Sequence, residues 1–226
     1  MENISIFAII LFLLASAGTV WFFYRAGNNS LKVLAILLAW ASVQSALAMS
    51  GFYQNWDATP PRFIFLFAPW LLVTIIMFNV NSTKQFIDLL DIKWLTILHI
   101  IRIPVEVTLF LVFSEKLIPQ SMTFEGTNFD ILSGISAPVI YYIAFKTKKR
   151  NQKLLLIWNF VCLGLLLNVV ITAILSAKTP FQQFAFDQPN IAISYFPFAL
   201  LPSLVVPLVL FSHLASIRQL VYAAKR

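Results

Sequence analysis

Long apolar segments alternate with short polar stretches along almost the whole chain. Seven of these segments are close to the ~20 residues that a helix needs to cross the hydrocarbon core of a bilayer, and they lie at residues 4–24, 33–51, 63–80, 93–114, 129–146, 154–176 and 192–217. The connections between them are too short to hold a separate soluble domain. The pattern therefore predicts one all-α domain over residues 1–226, a bundle of seven transmembrane helices in a polytopic membrane protein.

Three stretches of this pattern have features of their own. The segment at 129–146 is the shortest, and residues 82–90 predict a short amphipathic helix before the fourth span. The last segment contains Pro197, Pro202 and Pro207. Because a proline leaves a helical carbonyl without its usual donor, we expect a kinked last helix whose carbonyls find partners inside the bundle.

The composition agrees with a chain that is solvated mainly by lipid. Hydrophobic residues make up 60% of the sequence, charged residues only 11%, and the mean hydropathy is +0.84. Soluble domains have about 25% charged residues. The single cysteine, Cys162, excludes an internal disulfide. The net charge of +7 comes from basic residues that flank apolar segments, which predicts no nucleic-acid partner.

The basic residues also predict an orientation. Of the 16 lysines and arginines, Arg102 lies within a span, only Arg62, Lys116 and Lys178 fall on one side of the predicted bundle, and all the others fall on the opposite side. Cytoplasmic connections are the ones that carry excess lysine and arginine. The sequence therefore predicts an outside N-terminus and a cytoplasmic C-terminus, in a plasma membrane or a bacterial inner membrane.

The candidate chemistry lies in the fourth predicted span, where three ionisable residues interrupt an apolar run. His99, Arg102 and Glu106 share one helix face, and a charge near a bilayer centre costs at least ~2.5–3.5 kcal/mol. Arg102 and Glu106 are four residues apart, so a direct charge pair is predicted. We expect the stripe to face the bundle interior, with Gln44 and Asn168 of other helices as hydrogen-bond donors.

A second polar group, Glu125, Asn128 and Asp130, precedes the fifth predicted span. Asparagine and aspartate at such a position cap the free N–H groups of a helix. The functional interpretation is an outer gate above the charged stripe. If a cavity is present, it is predicted to open at this outer end, beneath Phe124 and Phe184.

The leading functional hypothesis is a transporter-like or receptor-like protein that binds or translocates a small, partly apolar molecule or a proton. Arg102 would hold an anionic or carbonyl group, Glu106 would be its counter-ion or a proton carrier, and His99 would relay protons toward the cytoplasm. The predicted partners are membrane lipid and a small apolar or anionic ligand. The sequence leaves the oligomeric state open.

Three alternatives remain open from the sequence. One is an intramembrane enzyme that acts on a lipid or an isoprenoid, with Glu106 and His99 as acid and base. Another is a structural or accessory subunit whose polar stripe only holds helices together. A haem protein with His99 and His213 as axial ligands ranks below both. No cofactor or other metal site is predicted, because neither histidine has a second ligand at zinc spacing.

Overall fold

Helices joined by short turns account for most of the chain in this computed structural model, which describes residues 4–56, 58, 60–146 and 151–223. The basic residues at 147–150 and 225–226, which contribute to the predicted charge bias, lie outside these ranges. The described residues form nine α-helices, namely α1 (Ile6–Ala26), α2 (Leu31–Met49), α3 (Ile64–Asn79), α4 (Asn81–Leu89), α5 (Ile92–Leu98), α6 (Arg102–Ser114), α7 (Ile131–Phe145), α8 (Gln152–Leu175) and α9 (Val206–Ala223).

Several of these helices are long and apolar enough to cross a membrane. Within the described residues, five spans meet that test, namely α1, α2, α5 with α6, α8, and α9 with the turn before it. Helices α3 and α4 are bent by 96° and add a sixth span if they count as one. Helix α7 is apolar but has only 15 residues. Each of the seven predicted segments contains a helix. Only five of these helices, or six if α3 and α4 count as one span, are long enough to cross a membrane, so the structure does not confirm the predicted count of seven.

The α5–α6 span and the α9 span form the centre of the bundle. In each of these two spans, 61% of the most apolar stretch is buried, compared with 17% in α2. The α5–α6 span contacts α1, α7 and α9, while α9 also contacts α3, α4 and α8. Side chains that point inward from α6 therefore meet residues of several other helices.

The α5–α6 span is broken at the residues that carry its polar side chains. Helix α5 ends at Leu98, a 3₁₀ turn covers His99–Ile101, and α6 begins at Arg102. Pro104 has no N–H to donate to the carbonyl four residues earlier, which removes one bond of a continuous α-helix at this point. Since side chains three residues apart eclipse in a 3₁₀ turn, His99 lies directly beside Arg102 along the same face.

The predicted irregularity of the last helix is present as a π-helical turn at Leu201–Val205, immediately before α9. Pro207 has no N–H to offer the carbonyl four residues earlier, that of Ser203. The indole Nε1 of Trp40 in α2 donates to the Ser203 carbonyl at 2.7 Å. The prediction that a freed carbonyl finds its partner inside the bundle is therefore confirmed at Ser203.

Candidate functional site

The helix break holds three ionisable side chains inside the bundle. His99, Arg102 and Glu106 are 0%, 2% and 2% exposed, so the prediction that this face points inward is confirmed. Removing a charged group from water costs several kcal/mol, which must be recovered from partners of opposite charge and from hydrogen bonds. The partners of these three residues therefore decide what the site can do.

Arg102 is paired with Asp130, which immediately precedes α7. Nη1 of Arg102 donates to Oδ1 of Asp130 at 2.5 Å and also lies 3.4 Å from the backbone carbonyl of Cys162. Its Nη2 donates to Nε2 of His213 at 3.0 Å. The predicted Arg102–Glu106 pair is wrong, because the guanidinium reaches a carboxylate from α7 instead of the one on its own helix.

Asn128 connects the two acidic residues of the site. Its Nδ2 donates to Oε2 of Glu106 at 2.7 Å and to the carbonyl of Met122 at 2.9 Å. Its Oδ1 accepts a hydrogen bond from the backbone N–H of Asp130 at 3.0 Å. Asn128 and Asp130 were predicted to form a separate outer gate, and the structure places both against Arg102 and Glu106 in one buried cluster.

The hydrogen bonds of His213 define its tautomer. An arginine side chain only donates, so Nε2 of His213 must accept from Arg102. The proton of the neutral ring is then on Nδ1, which donates to Oδ1 of Asn159 at 2.9 Å. The Asn159 amide is itself oriented, because its Nδ2 donates to the Leu155 carbonyl at 2.8 Å. His213 is therefore a neutral acceptor that holds Arg102 in position.

His99 has a different environment. Its ring stacks on the His213 ring with centroids 4.0 Å apart and an angle of 16°, and it packs edge-on against Trp158 at 5.3 Å. Neither ring nitrogen of His99 has a hydrogen-bond partner in the described part of the chain. This geometry does not support the predicted proton relay. Stacked rings also cannot bind opposite faces of one haem iron, and both nitrogens of His213 are occupied, so the haem interpretation is wrong.

Two glycines allow the close approaches that assemble the cluster. A Cβ on Gly134 of α7 would lie 2.9 Å from Cγ1 and 3.0 Å from the backbone nitrogen of Ile103. Because glycine has no Cβ, α7 can pack directly against the start of α6, beside Arg102. A Cβ on Gly126 would overlap the Gln120 carbonyl, so only glycine fits the tight turn that leads to Asn128.

Two residues predicted for the pocket, Gln44 and Asn168, and Glu125 of the predicted outer gate do not join the cluster. Gln44 is buried, but its Oε1 accepts a hydrogen bond from the Tyr53 hydroxyl at 2.5 Å, away from the cluster. Asn168 is exposed, and its Nδ2 donates to the Thr127 carbonyl at 2.8 Å. Glu125 is also exposed. The residues that complete the cluster in place of these are Asn159 and His213.

A cavity of about 280 Å³ adjoins the cluster. Its walls come from α3, α6, α8 and the π turn with the start of α9, and nearly all of them are apolar. The polar side chains that line it are Thr74, Glu106 and Asp130. Among the described residues, no hydrogen bond reaches Oε1 of Glu106 or Oδ2 of Asp130. The cavity therefore ends on two carboxyl groups that each retain an unused acceptor oxygen.

The cavity reaches the apolar flank of the protein between α3 and α8. Leu71 of α3 and Leu167 of α8 both line it, and they are 48% and 44% exposed. The predicted opening beneath Phe124 and Phe184 is wrong, because neither residue lines this cavity. A molecule that enters between α3 and α8 meets hydrocarbon side chains first and the carboxyl groups last.

The fold and site together are those of an all-helical protein with several potential membrane spans and a buried ionisable cluster. The chain belongs to a family described as a domain of unknown function (DUF8737), whose model matches residues 60–221. The cluster and the walls of the cavity lie within this range, whereas α1 and α2 precede it. No curated protein and no solved structure matches the chain.

Proposed function

We propose that this chain is a seven-span protein of a cell membrane, with its N-terminus outside and its C-terminus in the cytoplasm. The distribution of lysine and arginine supports this orientation. Helix α7 would be a short span, because its 15 residues extend only about 22 Å. Asp130 immediately precedes its first residue, Ile131, so the polar cluster would lie below the outer surface of the protein.

Cysteine labelling in intact cells tests this orientation. With Cys162 replaced by alanine, a cysteine at Glu125 should react with a membrane-impermeant maleimide, and a cysteine at Lys153 should react only after the cells are permeabilised. The reverse result would overturn the proposed orientation. Labelling of both positions in intact cells would overturn the seven-span count.

Within this topology, the protein binds a small, largely apolar molecule that enters from the bilayer. The observation that supports this proposal is the cavity between α3 and α8, with its hydrocarbon walls and two carboxyl groups at the inner end. Binding sites for small molecules are typically concave and apolar, with a few polar groups that fix the orientation of the ligand. Glu106 would accept a hydrogen bond from the ligand, and Asn128 would hold its carboxyl group in place.

Arg102 has a different role in this proposal from the one that the sequence suggested. Its Nη atoms are engaged by Asp130, His213 and the Cys162 carbonyl, and it does not line the cavity. It would position Asp130 rather than hold an anionic ligand. The alternative enzyme with Glu106 and His99 as acid and base lacks support, because His99 does not line the cavity either.

Photolabelling of the purified protein in lipid nanodiscs tests ligand binding. A small alkyl diazirine should label peptides from α3 and α8 in a saturable manner. Thr74→Trp, which places an indole inside the cavity, should abolish the saturable part. Leu72→Trp is the matched control, since Leu72 is 59% exposed and does not line the cavity. Equal saturable labelling of both variants would contradict the proposal and favour a structural role.

A further inference from the structure

The buried cluster has one carboxyl group more than it has cations. Arg102 is a permanent cation, and it is neutralised by Asp130. His213 is neutral because its Nε2 accepts from Arg102. An imidazolium at His99 would have two donors with no acceptor in a fully buried position, so His99 is neutral as well. Glu106 is then left without a cation of its own.

The other charged or titratable residues of the cluster do not supply a cation for Glu106. These residues are Arg102 on the same helix as Glu106, Asp130 before α7, Cys162 on α8, His213 on α9 and His99 in the 3₁₀ turn. Helix α3 adds only the hydroxyl of Thr74 to the polar lining of the cavity. A second carboxylate charge in this site would lie in low dielectric without compensation, which costs several kcal/mol. Glu106 therefore carries its proton when no cation occupies the cavity.

We infer that the cavity takes a lipophilic monovalent ammonium, which displaces the proton of Glu106. This inference rests on the proposed binding function and names the class of ligand. An ammonium group has several donors, and the unused oxygens of Glu106 and Asp130 are the acceptors at the inner end of the cavity. The ammonium keeps its own proton, the Glu106 carboxyl releases its proton to water, and the net charge of the site stays at zero before and after binding.

The size and lining of the cavity define the rest of the ligand. Its volume of about 280 Å³ is roughly twice that of an engineered protein cavity that binds benzene. A body of about ten to twelve non-hydrogen atoms would fill it. The apolar walls favour an alkyl or aromatic body over a hydrated metal ion. In the described part of the chain, no three His, Cys, Asp or Glu side chains are placed to hold a metal.

The test uses two probes of equal length, decylamine and decan-1-ol, with the full chain in nanodiscs and empty nanodiscs as the blank. Calorimetric titrations at pH 7 in two buffers with different ionisation enthalpies report the protons released. Decylamine should bind at least about tenfold more tightly than decan-1-ol and release about one proton. Its affinity should fall by up to about tenfold per pH unit between pH 8 and pH 6, while that of decan-1-ol stays constant.

Glu106→Gln should remove the proton release and reduce the preference for decylamine over decan-1-ol about tenfold. The exposed Glu125→Gln is the matched control and should behave as the wild type. Equal binding of both probes to the wild type without proton release would overturn the ammonium inference and leave the binding proposal intact. If neither probe binds the wild type above the blank, the binding proposal itself fails. If Glu106→Gln does not fold, the pH dependence of decylamine affinity for the wild type still tests the ammonium inference, because a pH-independent affinity would overturn it.

Discussion

Replacing Asp130 by asparagine tests which carboxylate neutralises Arg102. The side chain of Asp130 is only 5% exposed and that of Arg102 only 3%, so the substitution leaves the guanidinium buried without its counter-ion. Breaking a buried pair from one side costs about 3–5 kcal/mol of stability. Asparagine retains an oxygen that accepts from Arg102, and we therefore expect the lower end of this range, about 3 kcal/mol.

Reversible unfolding in mixed detergent micelles, titrated with SDS and followed by tryptophan fluorescence, measures this free energy. Glu106→Gln is the control at similar burial, and it should change the free energy of unfolding by less than about 1 kcal/mol. Combining Asp130→Asn with Arg102→Gln should recover part of the loss, because the unpaired charge is gone. Asp130 is not the counter-ion of Arg102 if Glu106→Gln costs as much as Asp130→Asn and couples more strongly to Arg102.

Substitutions at three further contacts probe how the bundle is packed. Trp40→Phe should cost about 1–3 kcal/mol because it leaves a buried carbonyl unsatisfied, and adding Pro207→Ala should recover part of this loss by restoring a helical N–H. Gly134→Ala should cost about 1–3 kcal/mol, since its Cβ would lie 3.0 Å from the Ile103 backbone nitrogen. Gly126→Ala should destabilise by a similar amount, because its Cβ would overlap a backbone carbonyl in the preceding turn. The same SDS titration measures all three.

Matched controls separate these contacts from general effects of substitution. A Cβ on Gly164 of α8 would meet no atom within 4 Å, so Gly164→Ala should be neutral or stabilise the helix by about 1 kcal/mol. Trp21 is 49% exposed, and Trp21→Phe should be nearly neutral. Glycine substitutions that cost no more than Gly164→Ala would contradict the proposed close packing of α7. Additive losses in the Trp40 and Pro207 double variant would contradict the shared carbonyl.

The positions of the helices could be predicted from apolar segment length, because the period and extent of such segments are local properties of the sequence. The number of spans could not be established in the same way. The segment at 63–80 ends at a bend of 96° into α4, and the segment at 129–146 yields a helix of only 15 residues. At 63–80 the helix ends at Asn79 and the extended backbone of Val80 makes the bend, whereas at 129–146 the helix begins only after Asp130 and ends at Phe145.

The burial of the charged stripe was also predictable, since its spacing places all three side chains on one helix face. The partners were not, because Asp130 lies 28 residues and His213 lies 111 residues from Arg102 in sequence. Spacing along one helix favoured Glu106, but the close approach permitted by Gly134 brings Asp130 to the guanidinium instead. The exposed position of Asn168 depends on the rotation of α8, which its nearly uniform apolar sequence does not specify.

The pairing of Arg102 with residues far along the chain has a consequence for biosynthesis. At about 5–20 residues per second, a ribosome adds Asp130 about 1–6 s after Arg102, and His213 about 6–22 s after it. In the proposed membrane topology, the α5–α6 segment would place an uncompensated cation in lipid during the first interval if it left the insertion machinery alone. We therefore expect this segment to stay beside the translocon until α7 emerges, so that the two helices enter the bilayer as a preassembled hairpin.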